Sequence, residues 1–222
     1  RERDIRHHNG NHLQEAGGRK TGQAIPLGLF ALYARALVVG TASEHHIKDE
    51  KAYLDAVGKA KNLALADNMV TFGITPQYAE TGFGYIEADG EEVLSFKEKP
   101  DAQTAQSYLD AGNYYWNSGM FCFKAGQFLE ELKKYSPEIY DESLSAYKSA
   151  RSDEMIRISH DAMMAIPEDS IDYAVMESSE KVKVVPADID WSDLGSFDAL
   201  YEELPQDSNG NASCSVENAE II

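Results

Sequence analysis

Short β-branched and aromatic runs recur along this chain with helix-length segments between them, and that alternation leaves few folds open. "ALVVG" (36–40), "MVTFGI" (69–74), "YIEA", "EVLSFKEK" and "KVKVVPAD" (181–188) have strand composition, and "YYWNSGMFCFKA" reads as a strand broken at Gly119. Over 49–66, Tyr53, Leu54, Val57, Ala60 and Leu63 recur at helical spacing. Residues 23–35 also look helical, Pro100-Asp101 opens a helix over 101–111, and further helices are expected over 126–134, 137–150, 170–178 and Ser196–Glu203. Strands alternating with helices predict an α/β domain, a mixed, mostly parallel sheet sandwiched by helices. Ligands bind such sheets beyond the carboxyl ends of the strands, so the polar clusters after residue 40, near 98 and after 188 are the candidate sites.

Charge narrows the ligands. Twenty Lys and Arg stand against 38 Asp and Glu in 222 residues, a formal charge of −18, so nucleic acid and anionic lipid are excluded as partners. A phosphate-bearing ligand has to be met by individual cations or by a divalent metal. No apolar run reaches the roughly 18 residues of a membrane span, and the polar start is no signal peptide. Cys122 and Cys214 match no metal or disulfide spacing and fit reduced thiols of a cytoplasmic protein.

Five clusters could carry chemistry, each with a plainer alternative. In "FKEKP" (96–100), Glu98 could accept hydrogen bonds from two adjacent hydroxyls and Lys99 could meet a phosphate, or the segment is a solvated turn. In "ETGFGYIE" (80–87), Gly82 and Gly84 permit close backbone approach and Phe83 and Tyr85 offer flat faces, or this is a hairpin turn. "WSDLGS" (191–196) places Asp193 between a strand and a helix, as a metal ligand or a helix cap. "ASEHH" (42–46) offers a carboxylate that with Asp193 could hold one Mg2+; its histidines point to zinc only weakly. In "IPEDSIDYAVME", Ser170 and Asp172 could simply start a helix.

In this order, "VTFGITP…ETGFGYIE", "FKEKP", "YYWNSGMFCF", "SIDYAVME" and "WSDLGS" resemble the consecutive motifs of the bacterial mannose-1-phosphate guanylyltransferase family, from about Gly18 to about Glu203. The resemblance implies a nucleotide-diphospho-sugar transferase-like fold and an enzyme joining mannose 1-phosphate to GTP with Mg2+, giving GDP-mannose and pyrophosphate. It implies that Glu98 and Asn117 hold mannose hydroxyls, that Gly82 gives a backbone contact, and that Asp172 lies near the sugar. It assigns Lys99 to the sugar phosphate, with Asp193 and Glu44 as the metal ligands. Lys99 and Asp193 are then the catalytic pair. Cytoplasmic location and a homodimer are what such a family member would have.

The departures set further expectations. The family's glycine-rich "GGxGxRLxPLS" loop and "PKQ" segment have no counterpart here, so the N-terminal nucleotide-binding part is expected to be lacking. "GRKTGQA" (18–24) carries Lys20 where the family has asparagine, and Glu44 stands where it has aspartate, a longer side chain for a metal that tolerates little distortion. The expected organisation is an irregular segment over 1–17, a nucleotidyltransferase-like sugar-binding domain over 18–204, and a tail or the start of a C-terminal domain over 205–222. Two rivals stay open: an inactive sugar-phosphate-binding module, and a glycosyltransferase using Asp188-Ile189-Asp190 as an Asp-x-Asp metal site.

Overall fold

The computed structural model describes residues 12–14, 21–42, 45–152 and 155–195, with a few positions between 200 and 212. Glu44, Lys20, Cys214 and most of the expected closing helix lie outside the described residues.

In chain order the elements are β1 (His12–Gln14), α1 (Thr21–Phe30), β2 (Leu37–Gly40), β3 (His46–Ile47), α2 (Glu50–Leu65), β4 (Met69–Ile74), β5 (Tyr85–Asp89) and β6 (Glu92–Lys97). There follow α3 (Ala102–Ala111), β7 (Tyr114–Lys124), α4 (Ala125–Tyr135), α5 (Pro137–Ser149), β8 (Arg151–Ser152), β9 (Met155–Arg157), α6 (His160–Ala165), a π-turn (Asp172–Met176), β10 (Val182–Ala187) and β11 (Trp191–Ser192). The helix boundaries follow from capping. Asp49 accepts the Ala52 N–H at 2.8 Å and starts α2; Asp101 accepts the Thr104 N–H at 2.7 Å and starts α3. Gly112, at φ 74°, closes α3 in the left-handed region.

Six strands form the main sheet in the order β2-β7-β4-β10-β6-β5, and β5 pairs also with the start of β7. Its single parallel ladder joins β4 to β10, and the other pairings are antiparallel. The sheet is therefore mixed but not mostly parallel. Central strands buried on both faces read as apolar runs whichever way their neighbours point, so the run composition carried no direction.

Helices cover both faces. Val70, Phe72 and Ile74 of β4 and Met120 and Cys122 of β7 pack with Ala56, Ala60 and Ala64, the i, i+4, i+8 stripe of α2. Met69, Phe121 and Phe123 face the opposite core, with Phe128 and Leu132 of α4, Ile139 of α5 and Ala174 and Val175 of the π-turn.

β7 is not broken at Gly119; it runs through eleven residues and carries a bulge. Thr71 pairs with Phe121 but Gly73 pairs with Asn117, so Ser118, Gly119 and Met120 stand opposite Phe72 alone. Gly119 takes φ 68° at the kink. Ser118 is buried, donates to the Phe72 carbonyl at 2.7 Å and accepts the Met120 N–H at 3.2 Å, restoring partners that the bulge would orphan.

Candidate active site

The bulge sets Asn117 on the rim of a small cavity of about 70 Å³ at the surface. Lys97 and Glu98 come from the end of β6, Gly84 from just before β5, and Ser170, Asp172, Tyr173 and Glu177 from the π-turn and its flanks. The Asn117 N–H donates to the Gly84 carbonyl at 2.8 Å, which fastens the bulge to the glycine turn.

Asn117 also organises the wall. Its Nδ2 donates to Asp172 Oδ1 at 2.9 Å and its Oδ1 accepts the Gly119 N–H at 3.2 Å. One amide hydrogen and one lone pair stay over for a ligand. Asp172 is half-buried. Loss of water raises its carboxyl above the ordinary aspartate value, the Asn117 bond pulls it down, and the Glu98 charge pushes it up again. The Glu98 charge likewise raises the exposed Tyr173 phenol.

Sequence reasoning named Glu98, Asn117 and Asp172, and the structure brings these three together. It does not bring Lys99 or Gly82 to the cavity. Lys99 is exposed beyond the strand end, while Lys97, which the sequence reading passed over, lines the wall. Gly84 replaces Gly82: a Cβ at 84 would sit 3.4 Å from the Lys97 carbonyl oxygen and 3.8 Å from Glu98 Oε2. The Gly82 N–H is taken up by Glu80 Oε1 at 2.6 Å. Tyr85 offers no flat face to a ligand, because it is fully buried and its hydroxyl donates to the Glu80 carbonyl at 2.8 Å.

The second candidate cluster is separate. β3 and β11 pair antiparallel, Ile47 with Trp191 and His46 with Ser192, so the described ends of the two candidate motifs lie side by side. Asp193 Oδ1 accepts the Gly195 N–H at 3.0 Å and Ser192 Oγ accepts the Leu194 N–H at 3.2 Å, holding Leu194 at φ 46°. Non-glycine residues held in that region collect at functional segments. A chain of ring contacts ties the two clusters: Trp116 to Phe83 at 5.4 Å, Phe83 to Trp191 at 5.3 Å and Trp191 to His45 at 5.4 Å. Phe83 is thus occupied by protein rings rather than by a ligand.

Among the described residues no three His, Cys, Asp or Glu side chains form a metal-holding group. Mg2+ commonly takes one or two carboxylates and leaves its other positions to water and substrate phosphate. Asp193, a hard oxygen donor beside the 45–46 segment, fits that habit.

Comparison with known proteins adds lineage to geometry. A mannose-1-phosphate guanylyltransferase from Salmonella montevideo is 44% identical over 218 residues, 92% of this chain and 46% of the relative. The chain spans about half the length of the curated relatives it matches. A Helicobacter pylori crystal structure described as mannose-6-phosphate isomerase aligns at TM-score 0.77 and 37% identity, covering 82% of this chain and 74% of that one. A Thermus thermophilus crystal structure, described as mannose-1-phosphate geranyltransferase, aligns at 0.74 and 29%, covering 88% and 58%. The nucleotidyl transferase family pattern matches residues 4–210, nearly the whole chain, and the protein belongs to that family.

Proposed function

We propose that this chain is the sugar-binding and catalytic part of a mannose-1-phosphate guanylyltransferase, which joins mannose 1-phosphate to GTP and releases pyrophosphate. The observation that carries the reading is the cavity wall, where Glu98, Asn117 and Asp172 present hydrogen-bonding groups suited to a polyhydroxylated ring. Relatives of that name at 44% identity over nine-tenths of the chain support it.

In this reading Glu98 and Asp172 accept hydroxyl hydrogens, and Asn117 holds Asp172 in place with one amide hydrogen while offering the other. Gly84 lets the ring approach the backbone. Lys97 is the lysine of the cavity lining, and Lys99 is available to the phosphate from outside it. A sugar-phosphate oxygen then displaces pyrophosphate from the α-phosphorus of GTP, a reaction served by positioning and charge stabilisation rather than by a nucleophilic side chain. Through the resemblance, Asp193 and Glu44 would hold the Mg2+, which when bound neutralises phosphate charge. Cytoplasmic location and homodimeric assembly belong to this reading through the resemblance alone.

The test is calorimetric titration of the chain with mannose 1-phosphate and with GTP and Mg2+, followed by a pyrophosphate-release assay on mixing. Binding of both with release is the expected result. Isomerisation of mannose 6-phosphate, the activity named for the Helicobacter structure, without pyrophosphate release would replace the proposal. Binding of neither sugar phosphate would remove it.

A further inference from the structure

Three carboxylates converge on the cavity, and Glu177 has no part in the function proposed above. In an α-helix a residue five positions after Asp172 points away by roughly 140°. Here the Glu177 N–H bonds instead to the Asp172 carbonyl at 2.9 Å, a wide i→i+5 closure that stacks the two residues. Ser136 Oγ donates to the Ala174 carbonyl at 2.8 Å and supports the widened turn from the junction of α4 and α5. Asp172, Tyr173 and Glu177 consequently line one cavity with Glu98, and Lys97 is the cation among them. The groups sense one another: partial burial, then the Asp172, Glu98 and Asp169 charges, raise the Glu177 carboxyl above the ordinary glutamate value.

We propose that Glu177 is a charge filter, excluding sugar phosphates that carry a second anionic group on the ring and admitting those whose other substituents are neutral hydroxyls. The inference rests on the sugar-phosphate reading of this cavity. A hydroxyl can donate to any of the three carboxylates. A second phosphate or a ring carboxylate would face all three, and like charges brought together at a partly dehydrated wall repel strongly. Glu98 and Asp172 suffice to grip hydroxyls. Glu177, at the rim, adds a repulsive element against the wrong ligand, the second half of specificity.

Calorimetry on the unaltered chain, Glu177→Gln and Glu177→Ala, with mannose 1-phosphate and mannose 1,6-bisphosphate as ligands, tests this. The unaltered chain should prefer the monophosphate by roughly tenfold or more, and Glu177→Gln should narrow that preference by roughly threefold or more. The Gln variant keeps shape and an acceptor, so its affinity for mannose 1-phosphate should stay within about twofold. The same narrowing in Glu177→Ala would assign the effect to charge. A preference unchanged in both variants, or both ligands weakened alike, overturns the filter and leaves the sugar-phosphate reading standing. A chain that binds neither ligand overturns both.

Discussion

Asp172 carries an electrostatic cost that its neighbours only partly relieve. Burial raises its carboxyl, Asn117 lowers it through the 2.9 Å bond, and Glu98 raises it again. Its folded value lies above the ordinary 3.8, so between the two the native state holds a proton that the unfolded chain has released. Stability contributed by this group is therefore present at low pH and lost as pH rises through the folded value. Asp172→Asn removes the titration. Urea unfolding of both proteins should show the variant gaining on the unaltered chain at about pH 7 and the gap closing towards about pH 4. A gap that stays constant would refute the assignment. The same variant should weaken mannose 1-phosphate binding, because an acceptor oxygen becomes a donor. At this scale Glu98, Asn117 and Asp172, singled out through the resemblance of their motifs, meet in one cavity lining. The cavity lining holds Lys97 and Gly84 rather than Lys99 and Gly82, since which residue of a close pair meets the cavity depends on where the ladder ends, and that is set by cross-strand partners.

The main-sheet strands and the longer helices were legible, because apolar periodicity and caps such as Asp49 and Asp101 act locally. The two- and three-residue strands β1, β3, β8, β9 and β11 and the six-residue α6 are too short to show a period. Three further features were not legible. Sheet direction depends on which strands meet. The π-turn looked like an ordinary short helix, yet it leans on Ser136, far away in the chain. The bulge in β7 was expected as a break, and Ser118 is why it is not one. Its hydroxyl replaces two ladder partners inside the core, so Ser118→Ala leaves the Phe72 carbonyl and the Met120 N–H without that partner. Each buried polar group so stranded costs about 1–3 kcal/mol, so the variant should lose roughly 2–4 kcal/mol in urea unfolding. Asn117 is the adjacent residue in the chain, so the same substitution should also weaken sugar-phosphate binding. A loss below about 0.5 kcal/mol, the level of ordinary surface changes, would mean that the backbone closes the bulge without the hydroxyl.

Over the whole molecule, the formal charge of −18 acts on folding and on ligand approach with the same sign. Net self-repulsion disfavours the compact state. Most of the described ion pairs do little against it: Lys51–Asp55 is well exposed, and Lys124–Asp67 and Lys183–Glu92 each keep one partner in water, Lys181 with the buried Glu131 being the exception. Exposed pairs are worth about 0–1 kcal/mol each. Salt screens both effects, but a few short pairs lose less than a molecule-wide excess of anions does, because screening bites hardest on separated charges. The screening length falls from about 30 Å at 0.01 M to about 8 Å at 0.15 M, from the span of the domain to the span of a side chain. The urea midpoint should therefore rise as sodium chloride goes from about 0.01 M to about 0.15 M, with the slope of the transition unchanged. A chain stabilised mainly by its ion pairs would show the reverse. The cavity shares the excess, lined by Glu98, Asp172 and Glu177 against one lysine, Lys97. Without a divalent cation the association rate of mannose 1-phosphate should accordingly increase over the same salt range, against the decrease usual for phosphate ligands steered by a basic surface. If the rate falls with salt instead, the local lysines outweigh the net field, and phosphate capture is governed by Lys97 and Lys99 rather than by the molecule as a whole.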